Sequence, residues 1–133
     1  MAGTSLDTVK ILAVEDHADT RRVLKLFLEN SGAEVTAVES GRAALQEIQT
    51  HRPDVLICDI GMPEMDGYQL LERIRNLEPN IASVPAIACT AFATEEDVAH
   101  AFVVGFQAHL AKPLDPNQLV RTIENVVRMS RET

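Results

Sequence analysis

Val55-Leu56-Ile57-Cys58-Asp59 is an unbroken apolar run that ends in a carboxylate. A strand with one face in water alternates apolar and polar side chains. This one does not alternate, so both of its faces are covered, as in a parallel sheet layered by helices. Four other short runs read the same way: Val9 to Val14, Val35 to Val38, Ala86-Ile87-Ala88-Cys89 and Ala108-His109-Leu110. Amphipathic segments separate them. Thr20 to Asn30 carries Val23, Leu24, Phe27 and Leu28 at helical spacing, and Ser31-Gly32 stops it. Ser40 caps a second helix with Ala44, Leu45 and Ile48 on one face. A third holds Leu70, Leu71, Ile74 and Leu77 and ends before Pro79. Thr94 caps a fourth, whose first turn (Glu95, Glu96, Asp97) suits the positive end of a helix dipole. A fifth follows Asp115-Pro116 and buries Leu119, Ile123, Val126 and Val127.

This alternation predicts a single α/β domain, with a doubly wound five-stranded parallel sheet, right-handed crossovers and helices on both faces. The expected boundaries are a flexible N-terminal tail at 1–8, the domain at 9–128, and a C-terminal end or linker start at 129–133. A chain of 133 residues accommodates one sizeable core and no second domain. The formal net charge of -8 repels phosphate backbones and anionic membranes. Arg21, Arg22 and Lys25 form no segregated basic patch, because Asp16, Asp19 and Glu29 surround them. The expectation is no direct nucleic-acid contact and no membrane. Cys58 and Cys89 lie in apolar runs without metal-ligand or disulfide spacing, so they read as buried thiols. With no signal peptide and no apolar run of spanning length, the expected compartment is the cytoplasm.

Ligands of open α/β sheets bind beyond the carboxyl ends of the strands. There the first strand ends in Glu15-Asp16, the third in Asp59 and the fourth in Thr90, and Lys112-Pro113 follows the fifth. Carboxylates about 4 Å apart repel by roughly 4 kcal/mol per pair at an effective dielectric near 20. A hard divalent cation offsets that, and Mg²⁺ favours a few carboxylates, water and a phosphoryl oxygen. Lys112 adds a point charge that can hold a phosphoryl oxygen, and Thr90 can donate a hydrogen bond to another. The set suits phosphoryl transfer to a carboxylate, with Asp59 as nucleophile because it lies between the acidic pair and Lys112. Taken singly, these residues are ordinary loop, cap and surface residues. Their joint placement carries the reading. A flavin site would need phosphate-cradling groups where the acidic Glu15-Asp16-His17 stands. A dehalogenase-type phosphatase would need a second aspartate at the place of Gly61.

The motifs Val14-Glu15-Asp16, Asp59-Ile60-Gly61-Met62-Pro63-Glu64-Met65-Asp66-Gly67, Thr90-Ala91 and Lys112-Pro113 resemble the receiver domain of two-component response regulators, the CheY-like family. The likeness runs from about Lys10 to Val127. It implies a flavodoxin-like sheet order of 2-1-3-4-5. It further implies that Asp59 takes its phosphoryl group from a histidine kinase or histidine phosphotransfer protein, catalysing only its own phosphorylation and dephosphorylation. Asp16, Asp59 and the Gly61 carbonyl would hold Mg²⁺, with Glu15 acting through water and Mn²⁺ as a substitute. Lys112 would pair with the phosphoryl group, and the Lys112-Pro113 bond would be cis. Thr90 would signal to the fourth helix, fifth strand and fifth helix, a face that leaves a homodimer open. His109 stands where the family often has Tyr or Phe as its switch. Phe92, two residues after Thr90, reads as an apolar cover on the next helix. His17, Ala18 and Arg21 lie where the phosphodonor docks. The segments 85–92 and 105–113 are closest in style to receivers of hybrid histidine kinases. The alternative is a protein-interaction module of the same fold that signals without phosphorylation.

Overall fold

The computed structural model describes residues 6–91 and 94–132; Phe92 lies outside them. Strands β1 (Lys10–Val14), β2 (Glu34–Val38), β3 (Val55–Asp59), β4 (Ala86–Thr90) and β5 (Ala108–Ala111) form one sheet in the order β2-β1-β3-β4-β5. Every pairing is parallel. The helices among the described residues are α1 (Ala18–Asn30), α2 (Gly41–Thr50), α3 (Gly67–Arg75), α4 (Pro79–Ala82), α5 (Glu95–Val104) and α6 (Pro116–Arg131). The expected sheet and order are therefore present. The single turn α4 was not expected. Pro79, read as the stop after the third helix, opens this turn, where its missing N–H costs nothing. The fourth and fifth helices of the sequence reading are α5 and α6.

Successive strand residues point to opposite faces, and two cores result. Leu56 and Cys58 of β3 join Leu12 and Val14 of β1 under Ile48, Leu70, Leu71 and Ile74 of α2 and α3. Val55 and Ile57 join Ile11, Ile87 and Leu110 under Leu28 of α1 and Leu119, Ile123 and Val126 of α6. The register Ile11↔Val55 and Asp59↔Cys89 keeps the two sets in phase across the sheet. Each such side chain contributes about 1.5–3 kcal/mol when fully buried. The sheet is thus clamped from both sides, and its C-terminal edge is a fixed platform.

Local chemistry sets the helix starts. Ser40 Oγ accepts from the Ala43 N–H at 3.1 Å, and Thr94 Oγ1 accepts from the Asp97 N–H at 3.1 Å. Asp66 and Gln69 form a reciprocal capping box at the start of α3. Gly67, the first residue of α3, donates its N–H to the Ile60 carbonyl at 2.9 Å. A Cβ there would lie 2.8 Å from the Asp59 carbonyl oxygen. Only glycine lets α3 start this close behind the end of β3.

Two boundaries of the sequence reading need correction. Of the flexible tail expected at 1–8, residues 1–5 lie outside the described residues, while Leu6 is 0% exposed and belongs to the α1/α6 core. Its N–H donates to the Ser31 carbonyl at 2.8 Å, and its carbonyl accepts from Val9 at 3.0 Å. The cause is apolar packing: Leu6 shares one buried cluster with Val9, Leu28 and Ala33, at the end of α1. Leu6→Ala should lower the unfolding free energy by about 3 kcal/mol, read as the midpoint shift in urea. An unchanged midpoint would mean that Leu6 adds nothing to the core. At the other end α6 continues through Arg131, past the expected limit at 128. The Arg131 guanidinium lies 3.7 Å from the Asp54 carboxylate and ties this last turn to the β3 approach.

Arg75, at the end of α3, donates to the carbonyls of Ala82 at 2.7 Å, Val84 at 2.6 Å and Gly105 at 2.8 Å. It fastens α3 to the segments leading into β4 and β5, and burial lowers its pKa from the ordinary value. No helix among the described residues is long and apolar enough to cross a membrane.

Candidate functional site

Because the strands are parallel, the ends of β1, β3, β4 and β5 share one edge of the sheet. Asp59 and Thr90 are the last residues of β3 and β4. Glu15 follows β1, and its N–H is held by the Val38 carbonyl at 3.0 Å. Lys112 follows β5, and its N–H is held by the Thr90 carbonyl at 2.8 Å. The Lys112–Pro113 bond is cis. Glu15, Asp59 and Thr90 are all buried, at 3%, 6% and 4% exposure, so their polar atoms require partners.

Lys112 supplies the main one. Its Nζ lies 2.9 Å from Glu15 Oε1 and 3.3 Å from Asp59 Oδ1. The Gly61 N–H also donates to Asp59 Oδ1, at 3.3 Å. A Cβ on Gly61 would meet nothing within 4 Å, so what this residue gives the site is its backbone.

The proton affinities follow from this arrangement. Burial pushes the Glu15 carboxyl up, but Lys112 and the His17 N–H outweigh it and hold the group below its ordinary 4.5. Asp59 moves the other way. Burial and the Glu15 charge raise it above 3.8, against a smaller opposing pull from Lys112 and Gly61. Burial would lower the Lys112 ammonium, yet the hydrogen bond to Glu15 and the charge of Asp59 raise it above 10.5. Lys112 therefore serves Glu15 first. Asp59 keeps a more basic oxygen, the better nucleophile.

Asp16 Oδ1 is buried and accepts no hydrogen bond among the described residues. It lies 3.4 Å from His17 Nδ1, which is itself 3.1 Å from Glu15 Oε2. Glu15, Asp16, His17 and Asp59 each offer a ligand atom, and these atoms lie within 4.8 Å of one another. An orphaned carboxylate oxygen among further carboxylates fits a hard divalent cation.

Arg21, expected to contact a partner, is half-buried. Its Nη1 donates to the Glu15 carbonyl at 2.9 Å and pins the β1–α1 turn. Ala18 is exposed at the first position of α1. His109 is half-buried opposite Ala88. Its neighbours Ala108 and Leu110 join the α1/α6 core, so the imidazole faces the α5 side. There its Nε2 is buried with no hydrogen-bond partner among the described residues.

The sequence reading missed a groove beside this site. A cleft of about 540 Å³ runs between α1 and the β5–α6 connection. Val23, Leu24, Phe27, Pro113, Leu114 and Leu119 line it. Val23, on the apolar stripe that the helical spacing gives, is 66% exposed there. The core-facing stripe of α1 lies further round, on Leu28. The clue in the sequence was an apolar stripe on α1 wider than one buried face needs.

The family model described as response regulator receiver domain matches residues 11–124. An uncharacterized 14.6 kDa protein in the sodA1 3′ region of Leptolyngbya boryana is 42% identical over 120 residues, 90% of this chain and 91% of that protein. Sensor protein GacS of Pseudomonas syringae pv. syringae is 35% identical over 116 residues, which are 86% of this chain and 13% of that much longer protein. Among solved structures, a putative response regulator from Chloroflexus aurantiacus J-10-fl superposes with a TM-score of 0.84 at 35% identity. That match covers 90% of this chain and 98% of the other. The chain belongs to the receiver-domain family of two-component response regulators.

Proposed function

We propose that Asp59 accepts a phosphoryl group from a phosphohistidine on a histidine kinase or histidine phosphotransfer protein, and that this switches the face formed by α5, β5 and α6. The observation that carries the reading is the Asp59 carboxylate itself: buried, raised in proton affinity, and 3.3 Å from the Lys112 ammonium. An Asp59 oxygen forms the bond to phosphorus as the phosphorus–nitrogen bond breaks. The departing imidazole keeps the electron pair and takes a proton from solvent. Lys112 then faces a group more negative than the carboxylate it replaces, and the Thr90 hydroxyl is one strand away to bond it.

Asp16 and Asp59, with the Gly61 carbonyl and Glu15 through water, would hold Mg²⁺ or Mn²⁺. That cation would neutralise charge on the transferring group. The orphaned Asp16 oxygen supports this assignment. The apolar groove along α1, lined by Asp19 and Thr20 at one end, suits an amphipathic helix of the donor. On this reading the chain is a cytoplasmic switch that catalyses only its own phosphorylation and dephosphorylation. His109, with its unpartnered Nε2, is the residue on β5 that would respond when Thr90 moves, and a homodimer would use the same α5–β5–α6 face.

The test is uptake from a small phosphodonor. With Mg²⁺ present, intact mass should rise by one phosphoryl group per chain, peptide mapping should place it on Asp59, and a chelator should prevent it. Uptake that survives chelation, or maps elsewhere, rules out this chemistry. No uptake together with no Mg²⁺ binding would favour the phosphorylation-independent module.

A further inference from the structure

His17 occupies the N-cap position of α1, which Ser, Thr, Asp or Asn normally fills with an oxygen that accepts a helix N–H. Its side chain makes no capping hydrogen bond. The ring instead turns back over the acidic cluster, with Nδ1 3.1 Å from Glu15 Oε2 and 3.4 Å from Asp16 Oδ1. The ring is the least of the groups that hold Glu15. Glu15 Oε2 already accepts from the His17 backbone N–H at 3.0 Å, and its Oε1 is held by Lys112 at 2.9 Å. Asp16 Oδ1 has no hydrogen bond at all among the described residues.

The 3.4 Å between His17 Nδ1 and Asp16 Oδ1 is the spacing of neighbouring ligands on one cation. Donor atoms about 2.1 Å from a metal lie about 3.0 Å apart at a right angle and about 3.4 Å apart at the tetrahedral angle. The His17 ring is 72% exposed, so a cation arriving from solvent meets the imidazole first.

We infer that His17 is a nitrogen ligand of the cation site, which favours borderline first-row divalent cations such as Mn²⁺ and Zn²⁺ over what a carboxylate-only set would allow. The inference rests on the cation site of the proposed function. Imidazole suits these metals, whereas Mg²⁺ prefers oxygen and keeps its water. Removal of the ring should therefore weaken Zn²⁺ far more than Mg²⁺. His51 is the internal control. It sits at the opposite end of the sheet, exposed and paired with Glu47 at 3.1 Å.

The experiment uses the 133-residue chain loaded with Mn²⁺ alone and examined by pulsed electron paramagnetic resonance, with Zn²⁺ and Mg²⁺ titrations in parallel. The wild type should bind one Mn²⁺ per chain and show the nitrogen modulation of a bound imidazole. His17→Gln should keep the Mn²⁺ and lose the modulation, and His51→Gln should keep both. The preference for Zn²⁺ over Mg²⁺ should fall by about tenfold or more in His17→Gln. One bound Mn²⁺ without nitrogen modulation, modulation that survives in His17→Gln, or an unchanged metal preference overturns the inference and leaves the cation site standing. Absence of Mn²⁺ binding, or binding unaffected by Asp16→Asn, overturns the site and the inference together.

Discussion

Asp59→Asn should take up no phosphoryl group and at the same time unfold at a higher denaturant concentration than the wild type. The first effect is a complete loss, because the amide has neither the charge nor the basic oxygen that attacks phosphorus. The second follows from the environment of the carboxylate. Burial and the Glu15 charge raise the Asp59 pKa above 3.8 in spite of Lys112 and Gly61, so its ionised form costs the folded state free energy. A carboxyl raised by folding contributes stability that is complete below its unfolded value and is lost as the pH rises through its folded value. The wild type therefore loses ground to the variant as the pH climbs above 3.8. Asparagine fills the same volume and can still accept from the Gly61 N–H. The expected gain near neutral pH is about 1 kcal/mol, shrinking as the medium is acidified. Urea midpoints across that pH range measure it. A variant less stable than the wild type at neutral pH would show that Lys112 outweighs Glu15 and burial at this position.

Much of this site was legible in the sequence because strand ends are legible. Val55 to Asp59 is apolar on both faces, which fixes a central parallel strand, and that strand fixes where Asp59 must stand. Glu15, Thr90 and Lys112 follow by the same logic from their own strands. Features decided by single contacts were not legible. One leucine among polar residues carries no periodicity, so Leu6 gave no sign that it enters the core. The single turn at Pro79–Ala82 is too short to show a helical repeat. Arg75 looks like any arginine on an exposed helix face until three carbonyls from the two segments leading into β4 and β5 converge on it. Val23 fits the helical spacing of α1, yet the helix rolls so that Leu28 enters the core and Val23 borders the groove. His17 sits beside the acidic pair in the sequence. What its ring does depends on a side-chain direction that no pattern of residue types encodes.

Lys112 is where stability and chemistry are most tightly joined, and Lys112→Met should damage both. The methionine fills similar volume but leaves Glu15 and Asp59 facing each other without a cation. Removing the partner of a buried charge costs about 3 kcal/mol at the low end, which applies here because Glu15 is buried while Lys112 is 24% exposed. The pH dependence should then reverse. In the wild type Glu15 is held below 4.5, so it contributes stability above that value and loses it as the pH falls through the depressed one. Without Lys112, Glu15 loses the largest influence that holds it below 4.5 and Asp59 is pushed further above 3.8, so the variant loses stability as the pH rises through the raised Asp59 value. The deficit should be widest near neutral pH and close on acidification. Adding Asp59→Asn to Lys112→Met should recover part of it, because one of the two facing charges is gone. Phosphoryl uptake should fall by about 10²–10³-fold, the usual effect of deleting a group aimed at developing charge. A deficit of constant size across the pH range would point to lost packing of the lysine stem, and would remove the electrostatic role assigned to it here.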